Sequence, residues 1–426
     1  MREDLLHFIW KYKKLNLKEL HTTDGLPIFI ENTGTHNQLA GPDFFNAKIT
    51  IGSQLWAGNV EIHINASDWF AHHHEKDVNY NTVILHVVWE DDISVFRNDS
   101  SKIPTLALKK YISKELLEAY NSLFSKEKVS FIYCEKDIAN VSSFAFKNWL
   151  ERLYFERLEQ KSSLVAELLQ QSKNDWEKVL FTMLMKNFGS KINGESFLSI
   201  AKSLDFAVIR KIKNDRLQLE SVFYGLAGFY EVTAVDTYYL ALEKEYKFLK
   251  NKYNIEESSI IKPAFFKLRP HNFPTIRLSQ IAHLYGKHQN IFSNIIAVNS
   301  LEELYAIFDV LASDYWDTHY TFGKASKKSA KKLSKKFIDL LIINTILPLK
   351  FCYANYLGKD VNDEIINIIE SLKKEENSII DNFNMHGIAI ENAKESQAIL
   401  QMYNKYCTKN KCLECVVGSS LLSGKA

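Results

Sequence analysis

The sequence predicts an α+β protein in which an N-terminal mixed α/β domain precedes a larger, all-helical domain. Up to about residue 110, short segments alternate apolar and polar residues with the period of a strand. From Leu116 onward, apolar residues recur every three or four positions, as they do on one face of a helix. We therefore predict an α/β domain over residues 1–115 and a helical domain over residues 116–426, ending in a cysteine-containing segment.

The order of elements in the first domain is predicted to be helix, strand, strand, strand, helix, strand. Ala47–Ile51 and Leu55–Ile64 alternate around a Gly52-Ser53 turn, which predicts an antiparallel hairpin. Thr82–Trp89 is an unbroken apolar run and is therefore expected inside the sheet. The remaining elements are a leading helix over 4–20, a strand over 26–31, a short helix capped by Ser67, and an edge strand over 103–108.

Later segments have helical spacing, and a stretch with three prolines interrupts them at 261–274. The helical segments are 145–170, 176–188, 195–204, 221–231 and 236–253. The formal charge of +2 gives no overall attraction to nucleic acid, so such binding would need local basic patches. The most apolar stretch, 337–349, is too short to span a bilayer. Five cysteines do not suggest a secreted disulfide framework, and we expect a cytoplasmic protein without membrane association.

Acidic residues flank the predicted hairpin and are the main candidates for a metal site. Asp43 precedes the first strand, Glu61 lies near the end of the second, and His63 shares a face with Glu61. Hard divalent cations bind carboxylate oxygens, so Asp43 and Glu61 are candidate ligands, with Glu31 as a third acid. Alternatively, Asp43 caps a turn and Glu61 lies on a solvated face of the hairpin.

Pro42-Asp43 followed by Glu61-Ile62-His63 resembles a variant of the PD-(D/E)XK nuclease signature, with histidine in place of the usual lysine. The resemblance covers residues 25–95 and implies a restriction-endonuclease-like sheet. It further implies that Asp43 and Glu61 hold Mg²⁺ or Mn²⁺ and that His63 orients the water attacking a phosphodiester. A neutral imidazole does not replace an ammonium at every pH, so His63 is a departure from the family's pattern.

The whole chain also resembles an uncharacterised bacterial family defined by a domain of unknown function. The segments that carry this second resemblance are GPDF, VEIH, ILHVVW and RPHNFPTIRLSQIA. This resemblance implies no activity.

Histidines are concentrated around the same hairpin. His72, His73 and His74 are consecutive, and His63 and His86 lie on neighbouring predicted strands. On a helix, His72 and His74 would not share a face, because residues two apart diverge by about 200°. A zinc site remains open if one of them meets His63 or His86. The favoured interpretation places the triple histidine at the exposed end of a helix and His86 in the core.

Three cysteines form a C-x₄-C-x₂-C pattern near the C-terminus: Cys407, Cys412 and Cys415. Cys134 is the best candidate for a fourth ligand of zinc or of an iron–sulfur cluster. The arrangement is similar to that of some PD-(D/E)XK nucleases, in which one distant cysteine and a C-terminal group of three hold such a cluster. The alternative is reduced thiols without a metal.

Two basic segments are candidates for contact with nucleic-acid phosphates. Lysines recur every four residues and would form one stripe on a helix, although solvated surface lysines often show the same pattern. Arg269 and Arg277 flank a proline-rich loop, where they can bind phosphate or, as we prefer, form ion pairs between domains. The lysines of the predicted stripe are Lys327, Lys328, Lys331, Lys332, Lys335 and Lys336.

Three functional hypotheses follow from these patterns. The first is a Mg²⁺- or Mn²⁺-dependent nuclease acting on DNA or RNA. The second is a nucleic-acid-binding or scaffold protein that keeps a nuclease-like fold without cleavage. The third is a zinc or iron–sulfur enzyme of other chemistry, built on the histidines or cysteines.

Overall fold

The computed structural model describes two compact units. The C-terminal cysteines belong to the first unit, although most of that unit is formed by residues 1–150. The predicted boundary at residue 115 separates two domains that fold independently. The two packing units do not test independent folding, so this boundary stays a prediction. The described residues are 1–37, 39–124, 129–230, 236–257 and 259–424. The first unit comprises 1–150, 378–389 and 400–426, and the second comprises 151–377 and 390–399.

A mixed sheet forms the centre of the first unit. Its strands are β1 (Ile28–Asn32), β2 (Thr35–His36), β3 (Phe44–Ile51), β4 (Gln54–Asn65), β5 (Val83–Glu90) and β6 (Thr105–Ala107). The order is β1-β3-β4-β5-β6, with β2 also paired to β3. The predicted antiparallel hairpin is confirmed, with Ile49 opposite Trp56. The apolar run forms β5, which pairs in parallel with both β4 and β6 and is therefore interior to the sheet.

Helix α1 (Glu3–Lys11) packs against β4 and covers part of the sheet. Glu3 and Asp4 lie in its first turn and Lys11 in its last, which complements the helix dipole. The helix ends earlier than the sequence predicts, because Lys13 takes a left-handed φ of 49° and turns the chain. The other helices lying wholly in this unit are α2 (Asp68–Ala71), α3 (Lys114–Leu123), α16 (Ser378–Met385) and α18 (Val416–Leu422).

The second unit is largely helical, as the sequence predicts. Two helices, α4 (Ser143–Ser172) and α17 (Ala393–Lys405), carry residues of both units. The second unit also holds a short hairpin of β7 (His319–Thr321) and β8 (Lys324–Ala325). Its own helices are α5 (Trp176–Phe188), α6 (Ser190–Ser203), α7 (Phe206–Ile212), α8 (Arg216–Leu226), α9 (Thr237–Tyr253), α10 (Pro274–Lys287), α11 (Ile291–Ala297), α12 (Leu301–Ile307), α13 (Lys335–Leu341), α14 (Leu347–Tyr356) and α15 (Asn362–Ser371).

One continuous helical segment runs from Lys335 to Tyr356, because a π-helical stretch at Ile342–Ile346 joins α13 to α14. Its 22 residues and a mean hydropathy of 1.6 over its most apolar window are sufficient, by length and composition, to cross a membrane. The segment is longer than the apolar run recognised in the sequence. Since 67% of the window is buried within the protein, and buried core helices meet the same criteria, this is weak evidence for a membrane span.

Strands β4 and β5 approach closely at Gly58. A Cβ atom on Gly58 would lie 2.3 Å from Ile84 Cγ2 and 2.7 Å from the backbone oxygen of Thr82. Both distances are far below normal van der Waals contact, and one of the two atoms belongs to the backbone. The absence of a side chain at this position therefore allows the two strands that carry the histidines described below to pair.

We expect Gly58→Ala to lower the free energy of unfolding by about 1–3 kcal/mol, because the added methyl group must displace β5. Ala57→Val is the matched control, since the neighbouring Ala57 side chain is exposed and its enlargement meets solvent. Urea denaturation followed by circular dichroism measures both variants. Equal stabilities for Gly58→Ala and the unmodified protein would contradict the close approach.

Candidate metal centre

The two predicted carboxylates lie together at one end of the β3–β4 hairpin. Asp43 directly precedes β3 and Glu61 lies in β4. The backbone N–H of Asp43 donates to Glu61 Oε2 at 3.0 Å, and the backbone N–H of Ile62 donates to Asp43 Oδ2 at 3.0 Å. Each carboxylate is therefore held by the backbone of the strand that carries the other one. Antiparallel pairing fixes both side chains in the same place.

Glu61 is a buried carboxyl group with a strongly perturbed pKa. Its residue is only 5% exposed. Burial, followed by the negative charge of Asp43, raises the pKa of Glu61 to about 9. Two carboxylates side by side in a poorly solvated place are unfavourable unless a proton or a cation neutralises one of them. Without a bound cation, Glu61 is therefore protonated at neutral pH.

His63 lies over the same position. Its Nε2 atom is 3.5 Å from Glu61 Oε1, and its Nδ1 atom is hydrogen-bonded to His86 Nε2 at 2.9 Å. Burial, followed by the charge that neighbouring imidazoles would carry, lowers the pKa of His63 to about 2. Burial likewise lowers the pKa of His86 to about 3. Both rings are neutral at physiological pH, and the lone pair of one of them accepts the hydrogen bond between the two rings.

The interpretation of the histidine triplet as an exposed helix end fits His72 and His73, which are exposed, and is wrong for His74, which is buried. Helix α2 ends at Ala71, and His73 has a left-handed φ of 61° that reverses the chain direction. This reversal brings His72 Nδ1 to 3.2 Å from His63 Nε2 and His74 Nε2 to 3.3 Å from Glu61 Oε1. One ligand atom from each of His63, His72 and His74 lies within 4.8 Å of the others. His86 is the hydrogen-bonded core residue that the sequence predicts.

Two residues of α1 complete the site and are missed by sequence reasoning. His7 Nε2 lies 3.2 Å from Asp43 Oδ2. Burial lowers the pKa of His7, but contact with the Asp43 carboxylate outweighs it, and the pKa is raised overall. Glu3, one turn earlier, has a pKa raised by burial and also acts on Glu61. The available signal was the i, i+4 spacing of Glu3 and His7, which places them on one helix face.

Glu31 does not take the position of a third acid beside Asp43 and Glu61. Its carboxylate pairs with Lys48 at 2.8 Å. The pairing of β1 with β3 shifts between Ile30 and Asn32, so Glu31 lies at an irregularity of the strand. Glu3 is the additional acid that raises the pKa of Glu61.

The four candidate cysteines lie in the first unit, near enough to affect each other's pKa values. None is in a disulfide. Burial, followed by the charge that Cys415 would carry, raises the pKa of Cys412 to about 12, and burial raises that of Cys415 to about 11. For Cys134 and Cys407, burial and the neighbouring thiols raise the pKa well above the usual range. Four gathered thiols that are costly to ionise alone fit a bound metal, whose positive charge stabilises thiolates.

The predicted helical stripe of lysines is wrong. Residues 326–334 are not helical, because the Ser334 side chain accepts from the N–H of Phe337 and starts α13 only at Lys335. Lys331 is 1% exposed and donates to the backbone oxygens of Ser329 at 2.6 Å and Asp317 at 3.2 Å, so it cannot reach a phosphate. Lys327 and Lys328 are exposed. Lys332 pairs with Asp309, Lys335 lies over the Tyr305 ring, and Lys336 pairs with Glu376.

The two arginines of the proline-rich loop have different surroundings in the second unit. Arg277 is 6% exposed, donates to Gln280 Oε1 at 2.8 Å and Asn272 Oδ1 at 2.6 Å, and stacks on the Phe337 ring at 3.4 Å. Burial lowers its pKa to about 9. Arg277 therefore has a structural role within this unit, whereas Arg269 is exposed.

Glu61 should make the metal-free protein less stable as the pH rises. Its pKa is about 9 in the folded protein and 4.5 as its ordinary value, so the folded state binds more protons between these limits. The contribution of Glu61 to stability is then greatest below about its ordinary pKa and falls by up to about 1.4 kcal/mol per pH unit above it. We expect urea denaturation with a chelator present to show a loss between pH 6 and pH 8.

Glu61→Gln should reduce this loss, because an amide does not titrate. Glu31→Gln is the control, since its exposed ion pair with Lys48 has no comparable burial. The same pH slope in the unmodified protein and in Glu61→Gln would show that Glu61 is not the titrating group.

Comparison with known proteins identifies the chain's family. No curated protein and no solved structure matches it. A family model described as a protein of unknown function (DUF2851) matches residues 3–378, which include Asp43, Glu61 and the clustered histidines. The three C-terminal cysteines lie outside the matched residues. Because the match covers most of the sequence, as the second resemblance predicted, the chain belongs to the DUF2851 family.

Proposed function

We propose that this protein is a divalent-metal-dependent hydrolase of phosphodiester bonds in DNA or RNA. The observation that carries the proposal is the pair of the partly buried Asp43 and the buried Glu61, in which burial and then the Asp43 charge raise the pKa of Glu61 to about 9. A divalent cation binds carboxylate oxygens and offsets the repulsion between the two negative charges. The hairpin order, with Pro42-Asp43 before one strand and Glu61-Ile62-His63 in the next, also supports it through the nuclease resemblance.

The side chains of the site have distinct roles in this proposal. A divalent ion lowers the pKa of bound water and neutralises charge on the phosphate. Asp43 and Glu61 hold the ion, and the N–H groups of Ile62 and Asp43 fix their orientation. His63, neutral above about pH 2, accepts a hydrogen bond from the attacking water and orients it. It cannot supply the positive charge of the lysine that it replaces.

The donor set favours Mn²⁺ over Mg²⁺. Mg²⁺ selects oxygen ligands almost exclusively, whereas Mn²⁺ also accepts imidazole nitrogen. His7 and His63 contact the Asp43 and Glu61 carboxylates, so nitrogen and oxygen atoms surround the same position. The iron–sulfur or zinc site at the cysteines is a second, separate proposal, in which the metal stabilises the fold of the first unit.

The thiols are not arranged as they would be around a single zinc ion. Four sulfurs bound to one zinc ion at about 2.3 Å lie about 3.8 Å apart. Within the described part of the chain, no three of the cysteine sulfurs lie within 4.8 Å of one another, although the thiols affect each other's pKa. An iron–sulfur cluster holds its four cysteines at larger separations than a single ion does.

We expect Mn²⁺-dependent cleavage of DNA or RNA, with weaker cleavage in Mg²⁺. Asp43→Asn and Glu61→Gln should each lower the rate by about 100-fold or more, because both keep the size of the side chain while removing its charge. Glu31→Gln, the control, should retain activity because Glu31 pairs with Lys48. Gel assays on single- and double-stranded DNA and RNA measure the rates.

Binding of these substrates without cleavage in either metal would contradict the hydrolase. That result would favour the nucleic-acid-binding or scaffold protein, with Lys327, Lys328 and Arg269 as its exposed cations.

We expect protein purified without oxygen to contain iron and sulfide and to absorb broadly in the visible range. Cys134→Ser should lose the iron together with thermal stability, because a metal that gathers distant chain segments contributes folding energy. Cys352→Ser is the control, since Cys352 contacts the backbone oxygen of Ser162 in the second unit. Elemental analysis measures the outcome: zinc instead of iron would indicate a zinc site, and neither metal would indicate free thiols.

A further inference from the structure

We propose a second metal site beside the carboxylate pair, at which His63, His72, His74 and Glu61 bind a transition-metal ion of the zinc type. Its ligand atoms are Nε2 of His63, Nδ1 of His72, Nε2 of His74 and Oε1 of Glu61. The inference goes beyond the proposed hydrolase and does not depend on its substrate, although it gives His63 Nε2 to the metal ion instead of to the attacking water. It rests on the spacing of these atoms, on the unpaired His74 Nε2 and on the residues that hold the rings.

Three of the spacings among these atoms match the edges of a tetrahedron around one ion, and the three histidines each place a ligand atom within 4.8 Å of the others. Zinc binds nitrogen and carboxylate oxygen at about 2.0–2.2 Å, so ligand atoms at tetrahedral angles lie about 3.3–3.6 Å apart. His63 Nε2 lies 3.2 Å from His72 Nδ1 and 3.5 Å from Glu61 Oε1. His74 Nε2 lies 3.3 Å from the same oxygen. Three edges of one tetrahedron therefore have the length that zinc coordination requires.

One buried atom that converges there has no hydrogen bond. Within the described chain, His74 Nε2 is buried and makes no hydrogen bond, and its residue is only 9% exposed. Glu61 Oε1 lies 3.3 Å from this nitrogen and 3.5 Å from His63 Nε2. Buried polar atoms are normally paired. A cation bound between these atoms would give His74 Nε2 a partner.

Surrounding residues fix the orientation of the imidazole rings, as is usual around metal-binding histidines. His86 is fully buried and is hydrogen-bonded to His63 Nδ1, which leaves His63 Nε2 directed towards the site. The Tyr80 ring stacks on His74 with centroids 3.7 Å apart. The left-handed turn at His73 holds His72 and His74 on the same side of the chain.

The donor chemistry separates this site from the carboxylate pair. Three imidazole nitrogens and one carboxylate oxygen favour Zn²⁺, Co²⁺ or Fe²⁺ over Mg²⁺ or Ca²⁺. Glu61 belongs to both the carboxylate pair and the histidine site, because its Oε2 accepts from the Asp43 backbone while its Oε1 lies near the imidazoles. A cation bound here also offsets the cost of burying the Glu61 carboxylate.

Cobalt titration of the full-length protein tests the site, because Co²⁺ replaces zinc and its visible spectrum reports the ligands. We expect one Co²⁺ with the d–d bands of a tetrahedral nitrogen and oxygen site, without the intense near-ultraviolet bands of thiolate ligation. His72→Asn and His74→Asn should each weaken this binding by at least about 10-fold. His73→Asn is the matched control, because its side chain is exposed and asparagine tolerates the left-handed conformation.

His72→Asn keeps the test decisive if His74→Asn fails to fold, since His72 is exposed and its replacement leaves the core intact. Unchanged Co²⁺ affinity in a folded His72→Asn protein would overturn the proposal. Absence of the d–d bands of a tetrahedral nitrogen and oxygen site would overturn it as well, whether or not thiolate bands show Co²⁺ at the cysteines. Since the readout is metal binding, failure of this site is distinguishable from absence of hydrolase activity.

Discussion

The burial of the Glu61 carboxyl group is the constraint around which the first unit is organised. A carboxylate at 5% exposure, next to Asp43, is costly in water-poor surroundings. One of its oxygens accepts from the backbone N–H of Asp43, and two imidazole nitrogens lie near the other without a hydrogen bond to it. Such an arrangement stabilises little by itself, and a cation bound as we propose would offset its cost.

The cysteine-containing segment near the C-terminus packs against α1, the helix that supplies His7 to the Asp43–Glu61 pair. Arg2 and Asp4, at the start of α1, affect the pKa of Cys412. His7, further along the same helix, contacts Asp43. The 3₁₀ turn at Cys412–Glu414 packs against α1. A metal bound by the four thiols would therefore stabilise the helix that supplies His7 and Glu3. If both proposed sites are occupied, loss of the metal at the cysteines would weaken metal binding at Asp43 and Glu61.

Local pattern was sufficient to predict the parts of the fold that depend on neighbours in sequence. Alternation around Gly52 predicts the hairpin, and the hairpin in turn brings Asp43 and Glu61 together. The lysine stripe failed because its fourfold spacing fits a helix, yet Ser334 starts the helix later and Lys331 is buried. Convergence of His72 and His74 could not be predicted, because it depends on one left-handed residue, His73. His7 was missed since only tertiary packing of α1 brings it to the sheet.

The most direct test of this account is a crystal structure of the protein soaked with Mn²⁺ and Zn²⁺, with anomalous scattering measured at the absorption edges of both metals. The account predicts manganese density in contact with the Asp43 and Glu61 carboxylates and zinc density among His63, His72 and His74, with Glu61 as a ligand of both. Metal density elsewhere in the molecule, with Glu61 in contact with no metal ion, would contradict the central claim.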